Sequence, residues 1–149
     1  MKGLIQRVTH ASVTVDGKTV SEIKTGLLLL LGVEKTDDAT TAKTLCRKVI
    51  NYRVFPDDQG RMNRSLLDTG GSLLVVPQFT LAADTRSGTR PGFSVAAPPD
   101  QAESLFQEFL VASEQCLGKD SVGRGQFGAD MKVALENDGP VTFLLEVVG

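Results

Sequence analysis

An uninterrupted run of five leucines occupies residues 27–31, between Gly26 and Gly32, and it leaves few options for the fold. The run is far too short to span a bilayer, which takes about 20 residues of helix. Short apolar runs bounded by turn-forming residues are typical of fully buried strands. We therefore expect residues 26–33 to form a buried strand. Because 41% of the 149 residues are hydrophobic, one compact domain covering residues 1–149 is expected around it.

Other segments have the alternation or composition of strands. Residues 4–15 are rich in β-branched and alternating positions, and Asp16-Gly17 supplies a turn before residues 20–23, so the chain is predicted to open with a hairpin. Further strands are predicted at residues 52–55, 73–76, 126–135 and 141–148. The last two flank Asn137-Asp138-Gly139-Pro140, which has the composition of a turn. About seven strands result.

Two segments have the apolar periodicity of long helices. Thr36 is predicted to cap the first, and Pro98-Pro99-Asp100 starts the second. Because both have one apolar face, we expect a mixed α/β domain with its helices on one side of the sheet. The predicted faces are Ala39, Ala42, Leu45, Cys46, Val49 and Ile50 in the first helix, and Ala102, Leu105, Phe106, Phe109 and Leu110 in the second.

Charge and cysteine content restrict the partners and the location. The net charge of −2 argues against a protein that binds long stretches of phosphate backbone, so any nucleic-acid partner is expected to be held locally. Residues 1–9 lack the apolar core of a secretory signal, and no membrane partner is expected. Cys46 and Cys116 fall on apolar helical faces, which favours buried free thiols over a disulfide. A reducing cytoplasm is predicted.

The sequence lacks the usual arrangements for nucleophilic or metal catalysis. His10 is the only histidine, and it is expected at the surface of a strand. No Gly-x-Ser-x-Gly elbow and no phosphate-binding Gly-x-x-x-x-Gly-Lys-Ser/Thr motif is present. One histidine and two distant cysteines cannot form a structural zinc site, so no metal or cofactor is predicted. An enzyme built on this chain therefore needs a mechanism without a side-chain nucleophile.

Two segments are the strongest candidates for a functional site. The first is VPQFTL within residues 75–81, where an apolar strand leads into a polar loop at residues 82–97 that is too long for a plain connection. The second is NDGPVT at residues 137–142. Taken singly, the first segment is more simply a strand end, and the second is more simply an ordinary hairpin turn.

Together these segments resemble the two signature motifs of D-aminoacyl-tRNA deacylases, which are usually Ser-Gln-x-Thr and Gly-Pro preceded by Asn-x. LIQRV at residues 4–8, NYRVF at 51–55 and GQFGADM at 125–131 are similar to the same family, so the likeness covers essentially the whole chain. It implies an α/β fold of stacked mixed sheets with a helical layer. It also implies a homodimer with active sites at the subunit interface, and the 3′ end of aminoacylated tRNA as partner.

The resemblance assigns the reaction to two groups of residues. Gln78, Phe79 and Thr80 are the catalytic candidates, lining the adenosine and carbonyl side of the pocket. Gly139-Pro140 is implied to be a Gly-cisPro element inserted into the partner's pocket, where it rejects L-aminoacyl groups sterically. Hydrolysis is implied to use the 2′-hydroxyl of the terminal adenosine, with backbone N–H groups stabilising the oxyanion. Glycyl-tRNA is a further candidate substrate.

The likeness also implies a set of binding residues. Arg7 braces the Gly139-Pro140 element. Phe127 and Met131 form an apolar seat for the adenine, and Arg90 with Phe93 shapes the loop beside it.

One position departs from the family pattern, because Pro77 stands where the family usually has serine. Proline has neither the hydroxyl nor a backbone N–H. Two interpretations follow: the serine is dispensable, or the activity of this chain is altered. A different class of function is a non-catalytic dimeric module that binds an adenine nucleotide or an RNA 3′ end by stacking on Phe79 and Phe127.

Overall fold

A computed structural model describes all residues, Met1–Gly149, and confirms the mixed α/β class with two long helices. The structure has eight strands where seven were predicted, because Met62–Arg64 and Val122–Arg124 are additional short strands and the last two predicted strands form a single one, Lys132–Glu146. Two 3₁₀ turns, Phe79–Ala82 and Lys119–Ser121, complete the structure. The strands and helices are β1 (Lys2–Val15), β2 (Lys18–Ile23), β3 (Gly26–Gly32), α1 (Ala39–Asn51), β4 (Phe55–Pro56), β5 (Met62–Arg64), α2 (Leu66–Thr69), β6 (Ser72–Pro77), α3 (Pro99–Leu117), β7 (Val122–Arg124) and β8 (Lys132–Glu146).

The leucine run forms the centre of the main sheet, as predicted. The strand order is β2-β1-β3-β6-β7, and β8 pairs with β1 as well. β3, β6 and β7 are parallel to one another, whereas β1 is antiparallel to β2, β3 and β8. β4 and β5 form a small separate sheet. β3 has a paired strand on each edge and packed residues on both faces, which fits its apolar composition.

The two faces of β3 pack against different layers. Leu27, Leu29 and Leu31 belong to a core that includes the apolar faces of α1 and α3, so the helices lie on one side of the sheet. Leu28 points into a second, smaller core that contains residues of strands only. This face is covered because the sheet bends over on itself: Arg124 N on β7 donates to Ser21 Oγ on β2 at 3.2 Å. The stacked layers are thus parts of one continuous sheet.

The first helix begins later than predicted, with Asp38 rather than Thr36 as its cap. Thr41 N donates to Asp38 Oδ1 at 2.9 Å, and Asp38 N donates to Thr41 Oγ1 at 3.2 Å, which is a complete capping box. The preceding residue, Asp37, is buried and accepts hydrogen bonds from the Met1 amino group and Glu34 N. These hydrogen bonds to the Asp37 carboxylate hold the residues before Asp38 outside the helix.

Strand boundaries were less accurate than the strands themselves. Of residues 52–55, only Phe55 is in a strand, and the segment predicted as strand from residue 126 is a loop until Lys132. The prediction of a hairpin turn at residues 137–140 is wrong. β8 runs through this tetrapeptide, and both of its halves pair antiparallel with β1.

The tetrapeptide lies in a large bulge of β8. Val8 pairs with Asn137 and Gln6 with Thr142, so residues 138–141 of β8 lie opposite the single residue Arg7. The Asn137 side chain closes the bulge, because its Oδ1 accepts from Val141 N at 2.7 Å and its Nδ2 donates to Thr142 Oγ1 at 3.1 Å. A bulge of this kind projects residues away from the sheet.

Both cysteines are free, but only one is buried. Cys46 Sγ lies 3.4 Å from Ser113 Oγ, and burial raises the pKa of its thiol. The prediction of a buried thiol is wrong for Cys116, which is exposed in the last turn of α3 although it has helical spacing from the buried Phe109. No helix of the structure has the length and apolarity needed to cross a membrane.

Candidate functional site

An apolar cavity of about 770 Å³ opens where β6 ends. Its walls come from the residues after β6, the first turn of α3, the loop that precedes β8 and the start of β8 itself. Ten of its 15 lining residues are hydrophobic. The volume and the lining are those of a typical ligand pocket, and open α/β sheets commonly bind ligands at the carboxyl ends of their strands.

The end of β6 positions the Gln-Phe-Thr segment. Gln78 N donates to Leu31 O at 2.8 Å, which ties this segment to β3. The chain then turns into the 3₁₀ helix Phe79–Ala82, and the Gln78 side-chain amide donates to the Thr80 hydroxyl. Gly32 permits this turn, because a Cβ at that position would lie 3.1 Å from Leu81 Cβ and 3.3 Å from Ala82 N.

The long loop folds back so that two exposed aromatic rings meet. Asp84 and Gly92 exchange two backbone hydrogen bonds, of 2.7 and 3.0 Å. Hydrogen bonds from the Arg86 side chain and backbone lower the pKa of the Asp84 carboxyl to about 2. This closure brings Phe93 to Phe79 with a ring-centroid distance of 5.4 Å, although the two side chains remain 42% and 62% exposed. They form an open aromatic rim.

The opposite wall of the cavity contains Phe127 and Met131. The Phe127 ring packs on the buried Phe106 at a centroid distance of 6.3 Å. Gln126 N donates to Met131 Sδ at 3.4 Å, which closes the loop between them. Gly125 leaves room for this sulfur, because a Cβ there would lie only 2.8 Å from it.

Arg7 connects β1 to the bulge of β8. Its Nε donates to Asp138 O at 2.8 Å, and its Nη1 donates to Val54 O at 2.6 Å. The Gly139-Pro140 peptide bond is cis, as the resemblance implied. Both residues are exposed, and neither lines the cavity of its own chain.

The structure divides the predicted site residues into two places. Gln78, Phe79, Phe93, Phe127 and Met131 line the cavity, and Thr80 is joined to it through Gln78. Arg7, Gly139 and Pro140 lie together outside it, and Arg90 is exposed in the loop without an ion-pair partner. Sequence reasoning missed a group of small or rigid residues at the start of α3, although the helix start after a long loop was a usable signal. These are Pro98, Pro99 and Ala102.

The chemical groups at the cavity are an amide, a hydroxyl, aromatic rings and backbone. No three His, Cys, Asp or Glu side chains lie together as a metal site would require. His10 contacts Thr9 on β1 and does not line the cavity. The site therefore offers planar apolar surfaces for a ring and a few polar groups for orientation.

Fold and cavity together define a mixed α/β protein with an apolar pocket that contains aromatic residues at the carboxyl end of its sheet. Comparison with protein-family models identifies the family within this class. A model of the family described as D-Tyr-tRNA(Tyr) deacylase matches residues 4–146. This chain belongs to that family.

Individual relatives are similar in sequence to this chain over nearly its full length. A D-aminoacyl-tRNA deacylase of Marinobacter nauticus is 66% identical over 98% of this chain and 94% of the relative. A D-aminoacyl-tRNA deacylase of Teredinibacter turnerae is 59% identical over 98% of this chain and 99% of the relative. A solved structure described as c-Myc DNA unwinding element binding protein has a TM-score of 0.95 and 39% identity over all of both chains. A probable eukaryotic D-amino acid tRNA deacylase has the same fold, with a TM-score of 0.86 and 16% identity over 98% of both chains.

Proposed function

We propose that this chain hydrolyses the ester bond of D-aminoacyl-tRNA and releases the free D-amino acid and tRNA. The observation that carries the proposal is the convergence of Gln78, Phe79, Phe127 and Met131 on one cavity, in a chain that belongs to a deacylase family. Phe127 and Met131 provide the apolar seat for the terminal adenine. The exposed rim of Phe79 and Phe93 then lies beside the ribose and the esterified amino acid.

The chemistry proceeds without a side-chain nucleophile. Thr80 accepts a hydrogen bond from the Gln78 amide and has no histidine or carboxylate partner. As the first two residues of a 3₁₀ helix, Phe79 and Thr80 have backbone N–H groups with no acceptor inside that helix. These N–H groups stabilise the oxyanion, and the neighbouring 2′-hydroxyl of the adenosine assists the attack of water on the carbonyl.

Pro77 is compatible with this mechanism. It ends β6 and lines the apolar wall of the cavity, where its ring packs beside Gly125. The serine found at this position in the family pattern supplies a hydroxyl that neither the oxyanion donors nor the 2′-hydroxyl requires. Pro77 therefore shapes the pocket and is not expected to abolish the reaction.

Chiral selection requires a second subunit in this proposal. Gly139 and Pro140 are exposed and lie outside their own chain's cavity, so they are free to enter that of a partner. Phe143 and Leu144, on the same strand, are also exposed, and such apolar surface favours association. In a symmetric homodimer, each Gly139-Pro140 element forms a rigid wall that excludes the side chain of an L-aminoacyl group.

A cytoplasmic location of the protein stays a prediction.

Deacylation of matched D- and L-tyrosyl-tRNA tests the proposal. We expect catalytic amounts of the protein to release D-tyrosine over many turnovers and to leave the L-ester at its spontaneous rate. Equal rates on both enantiomers would refute chiral selection. Glycyl-tRNA serves as a third substrate, because glycine has no side chain for the wall to exclude.

The solved relative described as a DNA unwinding element binding protein favours a second candidate, a module that binds nucleic acid or adenine nucleotide without turnover. The net charge of −2 disfavours extended contacts with a phosphate backbone. The same experiment separates the two, because a binding module sequesters the ester and releases no amino acid beyond the spontaneous rate.

A further inference from the structure

The bulge of β8 leaves the Gly139-Pro140 element without pairing in the sheet. Residues 138–141 lie opposite the single residue Arg7 and have no partners of their own in the register of β1. Gly139 and Pro140 are exposed as well, so packing in their own chain does not enclose them. The position of the element therefore depends on the side chains that bind its two ends.

One side chain holds each end. At the first end, Arg7 Nε donates to Asp138 O at 2.8 Å. At the second end, Asn137 Oδ1 accepts from Val141 N at 2.7 Å, and Asn137 Nδ2 donates to Val141 O at 3.3 Å. Val141 is buried in the main core. The Asn137 amide thus joins the exposed element to the packed interior of the domain.

This amide takes the place of a residue on a neighbouring strand. A backbone N–H only donates and a carbonyl oxygen only accepts, so Val141 requires one acceptor and one donor. A side-chain carboxamide supplies both groups, as a residue of an antiparallel partner strand does. Asn137 Nδ2 also donates to Thr142 Oγ1 at 3.1 Å, which gives the amide a third hydrogen bond. Neither an ionised carboxylate nor an apolar side chain can form this set.

We infer that Asn137 is a positioning residue that sets how strictly the enzyme distinguishes D- from L-aminoacyl esters. Asn137 does not line the cavity, and it acts through the Gly139-Pro140 element that it holds. The inference rests on the proposed function, in which this element is the wall that excludes an L-side chain. Without the Asn137 amide, Arg7 alone binds the element, and an L-aminoacyl group can displace the wall.

Two substitutions of Asn137 test this role. Asn137→Asp keeps the size of the side chain but sets a second acceptor against Val141 O, and Asn137→Ala removes both groups. We expect both variants to cleave L-tyrosyl-tRNA above its spontaneous rate. The ratio of kcat/KM for the D-ester to that for the L-ester should fall roughly tenfold or more. A gain of activity on the L-ester cannot result from partial unfolding, which lowers both rates.

Asp38→Ala is the matched control for stability. It removes the side-chain cap of α1, which has no contact with the bulge, and it should keep the wild-type ratio. The inference is overturned if both Asn137 variants leave the L-ester at its spontaneous rate. A loss of selectivity in Asp38→Ala equal to that in the Asn137 variants would overturn it too, because selectivity would then follow stability alone.

Binding of analogues that cannot be hydrolysed separates this inference from the proposed function. The D- and L-tyrosyl amides of 3′-amino-3′-deoxyadenosine carry nitrogen in place of the ester oxygen, and calorimetric titration measures their affinities. If the wild-type protein cleaves no ester but prefers the D-amide, loss of that preference in Asn137→Asp, with its retention in Asp38→Ala, supports the positioning role. Equal affinities for the two amides in the wild type, or an unchanged preference in Asn137→Asp, contradict it.

Discussion

Gly139 is the residue at which the lack of a side chain matters most. Its φ of 156° is rarely adopted by residues with a side chain, and an added Cβ would lie 2.6 Å from both Val141 Cγ2 and Val141 N. Val141 is buried, so it cannot move away freely. This close approach indicates that a methyl group at Gly139 lowers the stability of the fold as well as disturbing the Gly139-Pro140 element.

We predict that Gly139→Ala lowers the free energy of unfolding by roughly 1–3 kcal/mol and deacylation of D-tyrosyl-tRNA by more than tenfold. Denaturant unfolding and single-turnover kinetics on the folded fraction measure the two effects. Gly60→Ala is the matched control, because Gly60 has a φ of +79° in an exposed loop with nothing within 4 Å. This control should lose stability while keeping its activity; a Gly139→Ala protein with normal activity would contradict the proposed chiral wall.

Thr80 allows the mechanism to be tested at a single hydroxyl. Its only side-chain partner is the Gln78 amide, so removing the hydroxyl deletes one exposed hydrogen bond and no general base. We predict that Thr80→Ala reduces kcat by about tenfold or less. A substrate with 2′-deoxyadenosine at its end should react at least a hundredfold more slowly, because it lacks the assisting group. The reverse order of these effects would identify Thr80 as the nucleophile.

Among the secondary-structure elements, α1 depends on its N-cap, Asp38, which the sequence pattern did not identify. The cap is a reciprocal pair of hydrogen bonds between Asp38 and Thr41. Hydrogen bonds from the Thr41 backbone and side chain lower the pKa of the Asp38 carboxyl below its ordinary value of 3.8. Because the pKa is lower in the folded state, ionised Asp38 stabilises the fold above the ordinary value. That contribution is lost as the pH falls through the lower, folded value.

We predict that Asp38→Ala lowers the Tm by about 2–4 °C at neutral pH. The difference from wild type should narrow as the pH falls below 3.8, the ordinary value. Calorimetry across this range measures it. Asp58→Ala removes a carboxylate that is 93% exposed and paired only with Arg64, so it should change the Tm little at any pH. An equal loss in both variants would show that the cap contributes nothing specific.

For the whole molecule, the separation of Gly139-Pro140 from its own chain's cavity leads to a prediction about subunits. One variant, Gly139→Ala, damages the element that enters the partner. A second, Ala129→Trp, fills the cavity that receives it, because Ala129 lines that cavity. A heterodimer of the two has one site with a normal cavity and a normal Gly139-Pro140 element.

We predict that this heterodimer hydrolyses D-tyrosyl-tRNA at about half the wild-type rate, whereas both mutant homodimers are nearly inactive. Co-expression of differently tagged chains and sequential affinity purification isolate it. Size-exclusion chromatography confirms that all three species are dimeric. A folded heterodimer as inactive as its parents would show that Gly139-Pro140 acts within its own subunit.

Local composition was sufficient to predict the central strand, the helical faces and the family. A short run of leucines between two glycines is typical of a strand buried on both faces, and apolar periodicity placed the faces of α1 and α3 correctly. The motifs around Gln78 and Gly139 also pointed to the family by their residue types and order alone. These predictions succeeded because neighbouring residues are enough to establish each pattern.

The positions of the two motifs in space depend instead on contacts between distant parts of the chain. The composition of Asn137-Asp138-Gly139-Pro140 suggests a turn, but pairing of both flanking segments with β1 makes it a bulge. The cap at Asp38 depends on the ties that hold Asp37 out of the helix, and the cavity at Phe127 depends on the packing of α3 and β6. Such long-range contacts override local preference, because pairing and burial across the fold contribute more free energy than the conformational tendencies of a few residues.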